Sequence, residues 1–126
     1  MSLHNGEQRQ LSHFCSVSIE RDADAAVIRL EGEFDLSCED GLRAEIARMT
    51  AWQPNAVVVD LGDVTFIDSR GLRMLLELGA AARRDGFELT LVRADGQVRS
   101  SLNITGLDLL LPLAEPLRAT GTESRR

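Results

Sequence analysis

The chain has 126 residues, of which 44% are hydrophobic and 27% charged, so its composition is that of one globular domain and not of a disordered or fibrous protein. Its formal net charge is −6, from 20 acidic residues against 14 basic ones that are all arginine, and it lacks the basic footprint that nucleic-acid binding requires. No run of about 18 apolar residues and no secretion-signal pattern occurs, so we expect a cytoplasmic protein without direct membrane insertion.

Polar, aperiodic residues at both ends enclose a patterned centre. We predict a flexible N-terminal segment at 1–13, a single domain at 14–117 and a flexible C-terminal tail at 118–126. Apolar and polar side chains alternate at 14–20 and 26–32, which predicts two strands that the turn residues between them join as a hairpin.

The chain beyond the hairpin alternates helix and strand patterns. The spacing of its apolar residues predicts, in order, a helix at 38–49, a strand at 56–61, a helix at 69–85, a strand at 87–94, a helix at 96–108 and a short apolar segment at 109–117. Ser37 is a candidate N-cap of the first helix, and Gly86 ends the second. The unbroken apolar run of the predicted strand at 56–61 favours a strand covered on both faces, or nearly so. Together these elements predict an α/β fold with a mixed, mostly parallel sheet of four to five strands.

The sequence offers little for catalysis. A serine nucleophile needs a base, and the two histidines, His4 and His13, lie in or beside the predicted flexible N-terminal segment. Ser69 stands in D-S-R-G and not in a G-x-S-x-G elbow, and the lack of lysine excludes a phosphate-binding P-loop. We therefore expect a protein that is not an enzyme and that requires no cofactor.

Two groups of side chains invite a metal or redox interpretation. Glu31, Glu33 and Asp35 alternate along the end of a strand and would share a face, but without a second ligand cluster a solvated edge is the better interpretation, and we predict no metal site. Cys15 and Cys38 lack metal-ligand spacing, and we interpret them as buried or half-buried free thiols.

The junction at Asp68 and Ser69, between a predicted strand and a predicted helix, allows two interpretations. Serine is among the best N-cap residues, so capping alone would explain it. Alternatively, Gly71 in the first helical turn leaves the surface around Ser69 open, and the positive end of the helix dipole accommodates a phosphate on the hydroxyl. Such a phosphate would add a charge of about −1.5 to −2 beside Asp35 and Asp68.

Three stretches of the chain keep a recognisable order and spacing: LEGEFDLS at 30–37, VVVDLGDVTFIDSRGLRMLL at 57–76 and QVRSSLNITGLDLLLPL at 97–113. They resemble the G-E-x-D segment, the D-L-x-x-V-x-x-I-D-S-x-G-L signature and the final helix with its T-G-L-D turn of the STAS domains, a family named for sulfate transporters and anti-sigma factor antagonists. The middle motif is the specific one, and the resemblance extends over roughly 14–117.

The resemblance implies a fold with helices packed mainly on one side of the sheet, and it implies that Ser69 is a phosphorylation site with Asp35 close to it. By the same resemblance the partner is an anti-sigma factor with serine kinase activity, which the unphosphorylated protein binds so that the sigma factor is free to direct transcription. Phosphorylation by that kinase ends the complex, and a metal-dependent serine phosphatase restores it. ATP would be a substrate of the kinase and not a cofactor of this chain.

The predicted phosphosite has Asp35, Asp68 and Gly71 as its neighbours, and six residues form the expected partner contact surface: Glu33, Ser37, Thr65, Arg70, Leu72 and Arg73, with Leu72 more of a core residue than a contact.

An alternative function is a non-switching STAS assembly subunit of a lipid or anion transport complex. A phosphorylatable serine in D-S-x-G-L favours the antagonist over this alternative. An enzyme or small-ligand binder ranks third. Because 14–20 could form an open sheet edge, we expect a monomer or a weak dimer.

Overall fold

The sheet has six strands in the part of the chain that the structure describes. This structure is a computed structural model, and it describes residues 8–111 and the backbone of residues 113 and 114. The strands are β1 (Gln8–Gln10), β2 (Cys15–Asp22), β3 (Ala25–Phe34), β4 (Ala56–Ile67), β5 (Glu88–Val92) and β6 (Leu113–Ala114). They follow one another across the sheet in chain order.

The strand directions make the sheet mixed. β1 pairs antiparallel with β2 and β2 with β3, whereas β3, β4, β5 and β6 are parallel to their neighbours. The predicted single-domain α/β fold with a mixed sheet is confirmed, but "mostly parallel" is inexact because only three of the five pairings are parallel. The four predicted strands correspond to β2 to β5, and β1 and β6 are too short to produce a periodic sequence signal.

A short 3-10 turn (Leu36–Cys38) and four helices follow the strands: α1 (Glu39–Thr50), α2 (Ser69–Asp85), α3 (Gly96–Thr105) and α4 (Leu107–Leu110). As predicted, α2 ends at Gly86, which adopts a left-handed φ of 80°. Within the predicted helix at 96–108, α3 stops at Gly106, where φ is 77°, and the short α4 follows. Among the helices within residues 8–111, none has the length and apolar character needed to cross a membrane.

The helices bury one face of the sheet, as predicted. Every second residue of the central strands faces this core, because side chains alternate between the two faces of a strand. On β4, Val57 and Val59 are buried whereas Val58 and Asp60 are half-buried, so the expectation of a strand covered on both faces holds for one face only. The helices contribute Leu42, Met49, Leu72, Leu75, Leu78, Val98 and Leu102 to the same core.

Strand β4 is twice as long as the predicted strand at 56–61, because it continues through a polar stretch to Ile67. The pairing of β3 with β4 shifts register twice along this extension. One shift adjoins Gly32, which has a φ of 98° and whose missing Cβ would lie 1.9 Å from the carbonyl oxygen of Phe14. This irregularity lets both strands extend so that Phe34 and Ile67 end side by side.

Strand β1 lies in the segment predicted to be flexible, and it pairs with Ser16–Ser18 of β2. The assumption that this part of β2 is an open sheet edge is therefore wrong, although the predicted monomer or weak dimer remains a prediction. Residues 1–7 and 115–126, including the whole predicted tail at 118–126, lie outside the described residues.

Candidate functional site

The candidate site lies where β3 and β4 end. Phe34 and Ile67 are partners in the parallel register, and the backbone N–H of Asp68 donates to the carbonyl oxygen of Phe34 at 3.2 Å. Since parallel strands present their carboxyl ends at one edge, the residues that follow them, Asp35 and Asp68, lie at the same edge of the sheet.

Asp68, and not Ser69, is the N-cap of α2. Its carboxylate accepts hydrogen bonds from the backbone N–H groups of Arg70 at 2.9 Å and Gly71 at 3.1 Å. These are two of the donors that a helix start leaves unsatisfied. The predicted capping role of Ser69 is therefore wrong: an Asp and a Ser stand next to each other, both suit an N-cap, and the backbone turns at the Asp.

The same correction applies at the end of β3. Asp35 caps the 3-10 turn by accepting from the backbone N–H of Ser37 at 2.9 Å, and it also accepts from the Ser37 hydroxyl. The predicted N-cap Ser37 lies inside the turn, and α1 begins after Cys38 without a side-chain cap. Both strand ends thus place an aspartate first and a serine after it.

Ser69 is the first residue of α2 and its side chain is exposed. Within residues 8–111 its hydroxyl makes no side-chain hydrogen bond. The hydroxyl therefore points from a well-anchored backbone without being held by a neighbour. It lies at the amino end of a 17-residue helix, the end that carries the positive part of the helix dipole.

Gly71 does not leave the surface open, and that expectation is wrong. The residue is buried, and a Cβ built on it would lie 2.6 Å from Cγ1 of Ile67 and 2.6 Å from the carbonyl oxygen of Phe34. The missing side chain instead lets the first turn of α2 pack directly on the ends of β3 and β4. Gly71 therefore contributes to the position of Ser69 through packing.

Arg70 and Arg73, two predicted contact residues, are exposed but already paired. A guanidinium nitrogen of Arg70 lies 3.4 Å from a carboxylate oxygen of Glu39. The guanidinium nitrogens of Arg43 lie 3.1 Å from the Glu39 carboxylate and 2.7 Å from the Glu77 carboxylate. Arg73 completes the series 3.8 Å from Glu77. We call these five residues the α1–α2 ion-pair chain. The pKa of Arg43 is raised, chiefly by its hydrogen bond to Glu77.

The other predicted contact residues divide between surface and core. Glu33, Ser37 and Thr65 are exposed, and Glu33 and Thr65 lie near the ends of β3 and β4. Leu72 is only 8% exposed and belongs to the hydrophobic core. Its side chain is therefore not available to a partner, and its inclusion in the contact surface is wrong.

Sequence patterns missed three exposed apolar side chains at this edge, which we call the apolar rim: Phe14, Leu36 and Phe66, with exposures of 65%, 58% and 42%. The carbonyl oxygen of Phe14 accepts from the N–H of Glu33, the register pairs Glu33 with Phe66, and Leu36 follows Asp35. Phe66 and the buried Ile67 are adjacent apolar residues of one strand, and adjacent strand residues face opposite sides of the sheet. This pair was the sequence signal that could have indicated an exposed Phe66. Clustered exposed apolar residues are typical of interaction surfaces.

Gln97 is a second residue that sequence patterns missed. Its side-chain oxygen accepts from the N–H of Ile67 at 2.9 Å, and its side-chain nitrogen donates to the carbonyl oxygen of Ile67 at 2.9 Å. The amide thus pairs with the end of β4 as a neighbouring strand would. Because Gln97 and Ile67 are 30 residues apart, no local pattern could indicate the contact.

The three alternating carboxylates do not converge on a common point. Glu31 accepts hydrogen bonds from Gln8 and Ser16, while Asp35 caps the 3-10 turn. In the described part of the chain, no group of three or more His, Cys, Asp and Glu side chains is arranged to hold a metal ion.

Comparisons with known proteins assign the family. A family model described as "Mlab, STAS domain" matches residues 17–112. The chain is 33% identical over 95 residues to the anti-sigma-F factor antagonist RsfB of Mycobacterium tuberculosis, an alignment that covers 74% of this chain and 75% of RsfB.

Solved structures show a similar fold. An anti-sigma factor antagonist from Mycobacterium paratuberculosis superposes with a TM-score of 0.69 and 27% identity, over 83% of this chain and 89% of that one. The Bacillus cell fate determinant SpoIIAA in its phosphorylated form superposes with a TM-score of 0.62 over 82% of this chain and 96% of that one, and at 21% identity it shows likeness of fold alone. From its motifs, its sheet topology and these matches, the chain belongs to the STAS domain family.

Proposed function

We propose that this protein is an anti-sigma factor antagonist that binds an anti-sigma factor with serine kinase activity through the Ser69 surface and is released when Ser69 is phosphorylated. The observation that carries the proposal is the exposed, unbonded hydroxyl of Ser69 on a capped helix start. Two similar proteins, RsfB and the Mycobacterium paratuberculosis structure, are named as anti-sigma factor antagonists. The protein would act in the cytoplasm on sigma-factor-dependent transcription.

The chemistry of phosphoryl transfer suits a site with no base of its own. A kinase supplies the ATP, the metal ions and the residue that accepts the serine proton, so the substrate contributes a hydroxyl in a fixed position. Asp68 and Gly71 fix the backbone on either side of Ser69, by capping and by close packing respectively. The chain itself is therefore a binding protein and not an enzyme, and a separate serine phosphatase removes the phosphate.

The charge around Ser69 explains how a phosphate would act. Asp35 and Asp68 lie at this edge, and the nearest arginine in sequence, Arg70, is already paired with Glu39. A phosphate would bring a charge of about −1.5 to −2 to a surface that holds uncompensated carboxylates. It would also compete with Glu39 for Arg70, since a guanidinium binds phosphate well.

The apolar rim supplies the complementary attraction. Phe14, Leu36 and Phe66 can be buried by a partner, and burial of apolar area contributes about 25 cal/mol per Å². A phosphate inside such an interface would lose its hydration, and Arg70 would have to leave Glu39 to compensate its charge, so burial of the phosphate is unfavourable. The surface around Ser69 would therefore bind the partner when Ser69 is unphosphorylated and bind it more weakly when Ser69 carries a phosphate.

The test uses the purified full chain and the anti-sigma factor kinase of the same organism that it is proposed to bind, with affinity measured by isothermal titration calorimetry. We expect wild type and Ser69→Ala to bind alike, and Ser69→Glu to bind about thirtyfold more weakly, or about 2 kcal/mol. Ser100→Glu, which adds the same charge to an exposed position of α3, is the matched control and should bind like wild type. Tight binding by a folded Ser69→Glu chain would refute the switch.

The alternative, an assembly subunit of a lipid or anion transport complex, draws support from a different surface. Ile104, Leu109 and Leu110 are 84%, 86% and 65% exposed on α3 and α4, which carry none of the predicted contact residues. An assembly module predicts that Ile104→Gln with Leu109→Gln abolishes partner capture while Ser69→Glu has no effect. The antagonist predicts the reverse.

A further inference from the structure

In the part of the chain that the structure describes, the end of β4 pairs with a strand on one side only. β5 pairs with β4 as far as Asp60, whereas β4 continues to Ile67. On the other side, β3 pairs with β4 up to Phe34 and Ile67, and the Asp68 N–H donates to the Phe34 carbonyl oxygen. The backbone that leads into Ser69 therefore has a strand along one edge and needs a different partner along the other.

The side-chain amide of Gln97 is that second partner. Its oxygen accepts from the Ile67 N–H and its nitrogen donates to the Ile67 carbonyl oxygen, both at 2.9 Å. The same nitrogen also donates to the Ser101 hydroxyl at 2.8 Å. Both amide hydrogens are thus used, and this fixes the orientation in which the amide meets the end of β4.

A well-anchored helix carries Gln97. It lies in the first turn of α3, where Val98 and Leu102 are buried in the core with exposures of 1% and 0%. Asp95 caps the same turn by accepting from the Gly96 N–H at 2.9 Å. Gln97 itself is exposed, so it contributes hydrogen bonds to the strand end and little buried apolar area.

Ile67 connects this contact to the start of α2. Its side chain is 1% exposed, and α2 packs on it through Gly71, whose missing Cβ would lie 2.6 Å from Cγ1 of Ile67. The next residue, Asp68, accepts from the backbone N–H groups of Arg70 and Gly71. Ser69 lies inside this cap, so a displacement of the Ile67 peptide reaches Ser69 without an intervening loop.

We propose that Gln97 is a positioning residue for Ser69, which it holds in the orientation that a kinase phosphorylates. Among the described residues its side-chain hydrogen bonds go to Ile67 and Ser101, so it acts on Ser69 through β4. A phosphoryl acceptor must approach in line with the leaving oxygen, and a misplacement of about 1 Å can cost about a hundredfold in rate. Positioning of the backbone is independent of the proposed function; its effect on phosphorylation rests on that function.

Positioning and simple stabilisation predict different results. If Gln97 only stabilised the end of β4, its loss would lower the unfolding temperature and leave Ser69 unchanged in the folded chain. If Gln97 positions Ser69, its loss lowers the kcat of phosphorylation, because the hydroxyl is misplaced in the complex with the kinase. The KM for the chain is unchanged, because the apolar rim that binds the kinase is intact.

The first experiment measures amide hydrogen exchange and chemical shifts by NMR on the isotope-labelled full chain. Gln97→Met keeps the length of the side chain and removes both hydrogen bonds to Ile67. We expect the Ile67 amide to exchange about tenfold faster in this variant, and the Ser69 amide signal to shift while that of Ser37 stays in place. Asn103→Met changes an exposed residue of the same helix and is the matched control, with signals at these three residues like those of wild type.

Gln97→Glu separates the two hydrogen bonds, because a carboxylate accepts from the Ile67 N–H but cannot donate to the Ile67 carbonyl oxygen. We expect its Ser69 signal to shift less than in Gln97→Met. Circular dichroism checks each fold, with Gln97→Ala as the replacement for a methionine variant that does not fold. A folded Gln97→Met chain whose Ile67 amide exchanges like that of wild type would overturn the positioning role, and so would shift changes that end at Ile67.

The second experiment measures phosphorylation of the same chains by the anti-sigma factor kinase with ATP. We expect Gln97→Met to lower kcat about fivefold or more with KM within about twofold of wild type, and Asn103→Met to change neither. An unchanged kcat, or a rise in KM alone, would refute the effect of Gln97 on phosphoryl transfer. A wild-type chain that is not phosphorylated on Ser69 would refute the proposed function, and the hydrogen-exchange result would still decide whether Gln97 positions Ser69.

Discussion

An aspartate and a serine follow both β3 and β4, but the serine hydroxyl is hydrogen-bonded at the first site and free of hydrogen bonds to described residues at the second. After β3, Asp35 accepts both the backbone N–H and the hydroxyl of Ser37. After β4, Asp68 accepts two backbone N–H groups and leaves the Ser69 hydroxyl unbonded among the described residues. The two serines are alike in exposure, so hydrogen bonding and not exposure distinguishes a structural serine from a candidate phosphoacceptor.

The difference arises from spacing. Ser69 directly follows its aspartate, whereas Ser37 is two residues beyond Asp35, where the backbone returns the hydroxyl to the carboxylate. Three residues after each aspartate the chain also differs: Gly71 packs against Ile67, while Cys38 fills the corresponding place and binds the Asp35 carbonyl. Substitutions at these two strand ends test whether spacing and hydrogen bonding account for the difference between the serines.

The largest effect concerns phosphorylation. With the cognate kinase and ATP, Ser69→Ala should abolish incorporation of phosphate, because it removes the free hydroxyl, while Ser37→Ala should leave it unchanged. Phosphopeptide mapping by mass spectrometry measures both. Phosphate on Ser37 in the wild-type chain would show that hydrogen bonding does not distinguish the two serines.

Gly71→Ala should destabilise the fold by about 2 kcal/mol, since overpacking against a backbone carbonyl cannot be relieved by a change of rotamer. Gly79→Ala is the matched control in the same helix: its Cβ would lie 3.0 Å from the end of the flexible Leu111 side chain. That change should be neutral or gain up to about 1 kcal/mol of helix propensity. Urea denaturation of both variants gives the values, and equal stabilities would contradict the packing role of Gly71.

Asp68→Ala should cost about 1 kcal/mol because two helix-start N–H groups lose their acceptor. Asp35→Ala should cost slightly less than Asp68→Ala and at least as much as Ser37→Ala, since Asp35 accepts only one backbone N–H but also holds the Ser37 hydroxyl. Asp24→Ala, which removes an exposed turn carboxylate, controls for the change in net charge. Thermal unfolding at one pH ranks the three, and the reverse order for the caps would refute their assignment.

Ser69→Ala should change stability by less than about 0.5 kcal/mol, as expected for an exposed side chain without a partner. Ser37→Ala should cost about 0.5 to 1 kcal/mol, because a hydrogen bond to a carboxylate is lost. Calorimetric unfolding of the two single variants and the double variant separates the effects. A large loss with Ser69→Ala would restore the capping role that the geometry assigns to Asp68.

Much of this architecture was predictable because it depends on local pattern. The helix from Ser69 to Asp85 has apolar residues at helical spacing and a glycine stop, and both can be read without knowledge of the fold. The placement of Asp35 and the Asp68–Ser69 junction at one edge of the sheet was predicted only through the resemblance to STAS sequences. The continuation of β4 through Gly62 and Asp63 was not predictable, because irregular pairing with β3 interrupts the alternation.

Sequence patterns are sufficient to predict the α/β class, the order of the main strands and helices, and the placement of an aspartate–serine pair at a strand-to-helix junction. The packing of the folded chain is needed to establish which member of that pair caps the helix, why Gly71 must lack a side chain and that Gln97 pairs with the end of β4 at Ile67. Local preference cannot choose between two good capping residues, and a contact between residues 30 positions apart exists only once the strands have paired. Local patterns thus explain the elements, and packing at the ends of β3 and β4 explains the site.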